Sequence, residues 1–162
     1  MSTFFTPSSA APALAAQRNI EGLLFTFYYN NAMELKYLTQ RGGSPPEDHF
    51  VVVGGQHIIG RSSPIACTTA FDGLIRLYFV NREGQLQELY RSAENIWLEG
   101  DLSARKYEVW ASSGLSALGT RDLPSGSCNT LEVYFCENTN NGIVVFRAFQ
   151  RDGKWDKEPL RG

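Results

Sequence analysis

The chain repeats itself, and that limits its fold more than any composition does. Sliding the sequence by 51 residues without a gap lays Ala13-Leu14-Ala15-Ala16 on Pro64-Ile65-Ala66-Cys67, Gly22 on Gly73, Phe27-Tyr28 on Tyr78-Phe79 and Leu35 on Leu86. A third copy follows at a shift of 53 to 57: Ser116-Ala117-Leu118-Gly119 opens it, Leu131–Phe135 and Ile143–Phe149 are its longer runs, and Asn138–Gly142 is its turn. Each copy offers a short strand of small residues, two longer strands and a fourth near a tryptophan, as in Trp97-Leu98-Glu99-Gly100 and Trp155. Such a unit cannot bury its apolar face alone and must stack on its neighbour. Four strands in about fifty residues describe a propeller blade, so an all-β propeller is expected, one domain over 1–162 with repeats at about 10–60, 61–112 and 113–162. Ala10–Arg18 has the propensity for two helical turns, but it coincides with the repeated first strand, and the repeat decides for strand.

The middle copy is the clearest. Leu74–Val80 and Gln85–Arg91 flank the turn Asn81-Arg82-Glu83-Gly84, whose glycine takes a positive φ at little cost. Alternation along the first strand puts Arg76 and Tyr78 on one face and Ile75, Leu77 and Phe79 on the other. The hairpin returns Glu88 beside Arg76, so a guanidinium fork and a carboxylate meet one small polar ligand.

Composition removes several function classes. Fifteen basic against seventeen acidic residues leave a net charge of −2 with no long run of one sign, which argues against nucleic acid or an anionic membrane as partner. Three cysteines, Cys67, Cys128 and Cys136, cannot all pair within the chain and none stands at CxxC spacing, so they read as reduced, buried thiols. His49 and His57 are the only histidines and lack a ligating partner at metal spacing; adjacent Asp48 and His49 would face opposite ways on a strand. No metal or cofactor is expected. Met1–Ala16 carries Pro7 and Pro12, has no basic residue ahead of it and lacks a sustained apolar core, so it reads as mature protein, cytoplasmic or released without a signal peptide. The glycine clusters Gly42–Pro46, Gly54-Gly55 and Ser112–Gly114 are turn chemistry, with no lysine-serine or helix after them to cradle a phosphate.

Ser63-Pro64-Ile65-Ala66, Ile75-Arg76-Leu77-Tyr78-Phe79, Gly84-x-Leu86-x-Glu88-Leu89 and then Trp97 resemble a blade of the fungal fucose-specific lectins, which are six-bladed propellers. In that family a sugar lies between adjacent blades, with an arginine and a glutamate of one blade on its hydroxyls and aromatics of the next on its apolar face. The resemblance implies Arg76 and Glu88 as the polar pair, Phe146 and Trp155 as the aromatic wall, and a fucosylated glycan or other small polar ligand as partner. Three blades cannot close a ring, so a homodimer completing six is expected.

The 51-residue shift puts Phe25 and Tyr37 at the pair's positions in the first copy, and the larger shift of the third copy puts Glu132 and Val145 there, which leaves at most one such site per chain, with Phe25 packing rather than binding. The pair is expected to be partly exposed and to add little to stability. The competing reading is a lectin-like propeller turned into a cofactor-independent cyclase or isomerase of secondary metabolism, which needs mainly a shaped apolar pocket. A plain interaction module is the third.

Overall fold

The computed structural model describes residues 14–19, 21–61, 64–69, 73–121, 129–151 and 153–160. These form three four-stranded antiparallel sheets, each a simple meander. Blade 1 is β1 (Leu14–Arg18), β2 (Leu24–Tyr29), β3 (Leu35–Gln40) and β4 (Glu47–Phe50). A small hairpin, β5 (Val52–Val53) and β6 (Gln56–His57), links it to blade 2, which is β7 (Ala66–Thr69), β8 (Ile75–Val80), β9 (Leu86–Arg91) and β10 (Trp97–Glu99). A 3-10 turn at Ser103–Arg105 leads on to blade 3: β11 (Ser116–Arg121), β12 (Asn129–Thr139), β13 (Gly142–Arg151) and β14 (Lys154–Pro159). The described part of the ambiguous first stretch is the strand β1, as the repeat requires; residues 10–13 lie outside the described ones.

The repeat is legible in the turns. Gly22 and Gly73 hold φ of 79° and 76° before the second strand of their blades. In the next turn Asn30 and Asn81 use the same device, each side-chain Oδ1 accepting the N–H four residues on, from Glu34 and from Gln85. Gly84 supplies the positive φ that closes this turn, and Met33 is forced into it at 64° in blade 1. In blade 3 the ladder continues to Thr139 and Gly142, so the turn is tighter than the Asn138–Gly142 expected from sequence.

Alternation then decides which face of each sheet meets which neighbour. Ile75, Leu77, Phe79, Leu89 and Trp97 of blade 2 pack with Phe25, Phe27, Leu35 and Tyr37 of blade 1 in one core. Ala66, Tyr78, Val80 and Leu86, from the opposite face, pack with Leu131, Val133, Phe135, Ala148 and Trp155 of blade 3 in a second. Burying a side chain of this size is worth about 1.5–3 kcal/mol, so the blades are held by their faces, since among the described residues no ladder joins one four-stranded sheet to another.

The first strands lie innermost, β7 against both β1 and β11. The Thr68 hydroxyl accepts the Gly119 N–H at 3.0 Å, and a Cβ at Gly119 would stand 2.6 Å from the Thr69 carbonyl oxygen. Only glycine allows β11 so close. At the two ends of the stack the outer faces are open: Leu14 and Phe50 are exposed on blade 1, Leu118 and Val145 on blade 3.

Candidate functional site

In the β8–β9 ladder Arg76 is the Cα partner of Tyr90 and Tyr78 that of Glu88, so all four side chains share the face turned to blade 3. Arg76 lies across the Tyr90 ring, its Cζ 5.0 Å from the centroid, and brings Nη1 to 3.6 Å from Glu88 Oε1. The Tyr78 hydroxyl donates to Oε1 at 3.3 Å and the Leu102 N–H to Oε2 at 3.1 Å. Ser103 Oγ accepts the Glu88 N–H at 2.9 Å. Gly100 makes this packing possible, because a Cβ there would sit 2.3 Å from Glu88 Oε2. The segment from Gly100 to Ser103 therefore lies over the carboxylate.

This corrects the expectation of a partly exposed pair: the Glu88 side chain is 1% exposed and that of Arg76 16%. Burial pushes the Glu88 carboxyl above its ordinary value, against the opposing pull of the Leu102 N–H, the Arg76 guanidinium and the Tyr78 hydroxyl. What reaches the surface is a guanidinium edge with a carboxylate behind it.

The two aromatics expected from blade 3 lie at different places on it. Trp155 meets this face, its ring edge-on to Tyr78 with centroids 6.3 Å apart. Its indole N–H is buried and meets no acceptor among the described residues. Phe146 stacks on Phe135 at 6.2 Å and carries the Lys157 ammonium 4.7 Å over its ring. Trp155 is the ladder partner of Gln150, four residues along β13 from Phe146, a separation of about 13 Å at strand rise. Trp155 thus belongs beside the Arg76–Glu88 pair and Phe146 stands apart from it.

The other two blades depart from the pair in different ways. Phe25 and Tyr37 are buried in the blade 1–blade 2 core, where Trp97 meets Phe27 and Tyr37 edge-on at 5.7 Å each. In blade 3 Glu132 stands where Arg76 does, but its partner position holds Arg147 and not Val145. Tyr134 pairs with Arg147 as Tyr78 pairs with Glu88. The longer β12–β13 hairpin displaces β13 from a fixed shift, which misled the sequence alignment. Arg147 Nη1 is 3.3 Å from Glu132 Oε1, and Arg147 also pairs with Glu158. Its Cζ lies 5.1 Å over the Phe149 ring, as Arg76 lies over Tyr90. Blade 3 therefore carries the same polar pair with its sense reversed.

Asp48 and His49 do face opposite ways: Asp48 pairs with Lys36 and accepts from the Tyr28 hydroxyl at 2.7 Å, while His49 reaches Thr39 Oγ1 at 3.1 Å and stacks on Tyr37. His57 Nδ1 is 2.8 Å from Glu34 Oε1, and this contact holds the Glu34 carboxyl below its ordinary value. Among the described residues no three His, Cys, Asp or Glu side chains converge as metal ligands do. Cys67 and Cys136 are free and half-buried, and burial pushes the Cys67 thiol up to about 12; Cys128 lies outside the described residues.

Sequence reasoning passed over Tyr90, Gly100 and Arg91. The signal for Arg91 was present: counting by twos from Leu89 puts it on the blade 1 side of β9, away from Glu88.

No curated protein matches the chain in sequence. In three dimensions it is similar to a variant of the Aleuria aurantia lectin in complex with Fucα1-6GlcNAc, with TM-score 0.72 and 21% identity over 91% of this chain and 47% of that one. It is similar also to AofleA from Arthrobotrys oligospora, with TM-score 0.69 and 20% identity over 93% of this chain and 42% of that one. This chain thus spans about half the length of those two. A fucose lectin from Kordia zhangzhouensis, in complex with methyl-fucoside, matches at TM-score 0.60 and 14% identity over 90% of this chain and 97% of that one. These likenesses carry the fold, a β-propeller of four-stranded blades. The family model for the fungal fucose-specific lectins matches residues 50–162, which include all of blades 2 and 3 and the Arg76–Glu88 pair. The chain belongs to the fungal fucose-specific lectin family.

Proposed function

We propose that this chain is a carbohydrate-binding lectin that takes a fucose-like sugar between blades 2 and 3. Arg76 donates to the sugar's hydroxyls, Glu88 holds and orients Arg76 from behind, and Trp155, edge-on to Tyr78, backs the apolar side of the cleft. The observation that carries this reading is the pairing itself: a guanidinium clamped between a ring and a carboxylate, on the face that meets a tryptophan of the next blade. A rigid fork of donors beside an aromatic ring suits vicinal hydroxyls on one side of a sugar and C–H groups on the other. The charged lining favours a polyol over the apolar substrate of a cyclase.

Assembly belongs to the same proposal. The open outer faces of blades 1 and 3 each expose large apolar side chains, and the face of blade 3 also carries the reversed pair. A homodimer that seats one chain's blade 3 on the other's blade 1 covers both and leaves no end of the stack unpaired.

Calorimetric titration with methyl fucoside is the test. Arg76→Ala should weaken binding about tenfold to a hundredfold, the ~1.5–3 kcal/mol typical of hydrogen bonds to charged groups. No heat and no competition at millimolar sugar would overturn the lectin reading. Light scattering should return about twice the 18.1 kDa chain mass, and a stable monomer at micromolar concentration would remove the closed ring.

A further inference from the structure

Between blades 1 and 2, where the repeat has lost its arginine and glutamate, the surface holds a pocket of about 220 Å³. Asn19, Glu21, Gly73, Arg91, Ser92 and Asn95 line it, with Phe25 at its base. Arg91 comes from the end of β9 on the face opposite Glu88, and its Cζ lies 5.0 Å from the Phe25 ring and 5.9 Å from that of Tyr37. The two rings fix the plane of the guanidinium without satisfying its N–H groups. Its Nε is buried without a partner, and no carboxylate among the described residues pairs with it. The one acid in the lining, Glu21, is exposed and turned to Arg41 at 3.5 Å.

The contrast with Arg76 is informative. Arg76 has its counter-charge built into the protein; Arg91 has the same ring support and no counter-charge. Of the neutral polar groups around it, Asn19 is placed to donate. Asn19 spends its Oδ1 on the N–H groups of Glu21 and Leu23, at 3.1 Å and 2.9 Å, which leaves its amide N–H₂ to be offered outward. Asn95 stands exposed on the turn after β9 with φ of 64°. A half-buried, preoriented guanidinium beside amide groups, in a space below the ~300 Å³ of ordinary drug-sized pockets, fits one ring bearing an acid group.

We infer that the blade 1–blade 2 pocket binds a carboxylate-bearing monosaccharide, such as a uronic or sialic acid, with its carboxylate on Arg91 and its hydroxyls on the Asn19 and Asn95 amides. That the ligand is a sugar rests on the lectin reading above; that it is an acid rests on Arg91 alone. The chain would then carry two sites of different charge preference, a neutral-sugar site on one face of blade 2 and an acidic-sugar site on the other.

The test titrates the full chain at low salt with methyl glucuronoside, the methyl glycoside of N-acetylneuraminic acid, methyl glucoside and acetate. At least one acid sugar should bind tenfold or more tightly than methyl glucoside and than acetate, and methyl fucoside should not displace it. Arg91→Gln should abolish the preference for the acid. Asn95→Asp, which puts a negative charge on the exposed rim, should weaken the acid sugar at least fivefold and serves if Arg91→Gln does not fold. Equal affinity for acid and neutral sugars, affinity no better than that of acetate, displacement by methyl fucoside, or binding unaltered in both variants would each overturn the inference. Failure of methyl fucoside to bind, with the acid sugar bound and lost in Arg91→Gln, would overturn the Arg76–Glu88 site alone; methyl fucoside bound with no preference for an acid sugar would overturn this inference alone.

Discussion

Adding one methyl group at Gly100 should do more damage than its surface loop position implies. A Cβ there would lie 2.3 Å from Glu88 Oε2, 2.4 Å from Cδ and 2.5 Å from Cγ, so Glu88 must move. It has nowhere inexpensive to go: the side chain is 1% exposed and held at both oxygens, by the Tyr78 hydroxyl and the Leu102 N–H. Displacing it strands a buried N–H, about 1–3 kcal/mol, and adds overpacking strain of ~1–3 kcal/mol, so Gly100→Ala should cost roughly 2–6 kcal/mol in urea unfolding. A double-mutant cycle isolates the cause. Glu88→Ala removes all three clashing atoms, so Gly100→Ala added to it should cost under about 1 kcal/mol, giving a coupling of ~1 kcal/mol or more. The same substitution should weaken methyl fucoside binding by loosening Arg76. A Gly100→Ala protein as stable as the wild type, or equal costs in both backgrounds, would refute the argument that the loop is fitted to this carboxylate.

Met33→Gly should stabilise the chain by about 0.5–1 kcal/mol in the same assay, because it relieves the left-handed backbone that Gly84 occupies freely in the next blade. Trp97→Ala should cost about 3–5 kcal/mol and loosen blade 1 from blade 2, read as faster hydrogen exchange in β2 and β3, since Trp97 meets Phe27 and Tyr37 edge-on in that core. The folded Glu88 carboxyl holds its proton above the ordinary 4.5, so its contribution is full below that value and is lost as pH rises through the folded one. Wild type should therefore lose stability relative to Glu88→Gln as urea titrations move from about pH 4 to about pH 8; the opposite slope would mean the carboxylate is held ionised.

Much of the fold was legible because the repeat fixes spacing and alternation fixes faces. The positions of Gly22 and Gly73, of Asn30 and Asn81, and of Trp97 and Trp155 are all readable as letters, and each proves to hold the equivalent turn or strand. The site was legible only as far as one hairpin reaches. Arg76 and Glu88 are twelve residues apart in sequence and meet by local folding alone. Trp155 is carried to Tyr78 by the stacking of blade 3 on blade 2, and Phe146 looked equally suitable until β13 fixed the distance between them. The burial of Glu88 was invisible for the same reason, since it depends on a loop twelve to fifteen residues on that carries no strand pattern. Arg147 was missed because a longer hairpin breaks the constant shift on which the alignment relied.

The three blades also show what such a face tolerates. At the two positions of the pair, blade 1 has Phe25 and Tyr37, blade 2 Arg76 and Glu88, and blade 3 Glu132 and Arg147. Each pair is neutral as a unit. A single charge on a face that another blade covers would cost several kcal/mol, so at the covered positions both members differ together, as two apolar rings in blade 1 and an ion pair in blade 2. The residue between them keeps its ring throughout, as Phe27, Tyr78 and Tyr134. Arg91 is the exception that this reasoning isolates. It is a cation on a covered face whose counter-charge is absent from the described protein, in the blade interface that gave up its own pair. Arg91 lies over the Phe25 ring and lines the pocket between blades 1 and 2, and that opening is what would make it available to a ligand's carboxylate.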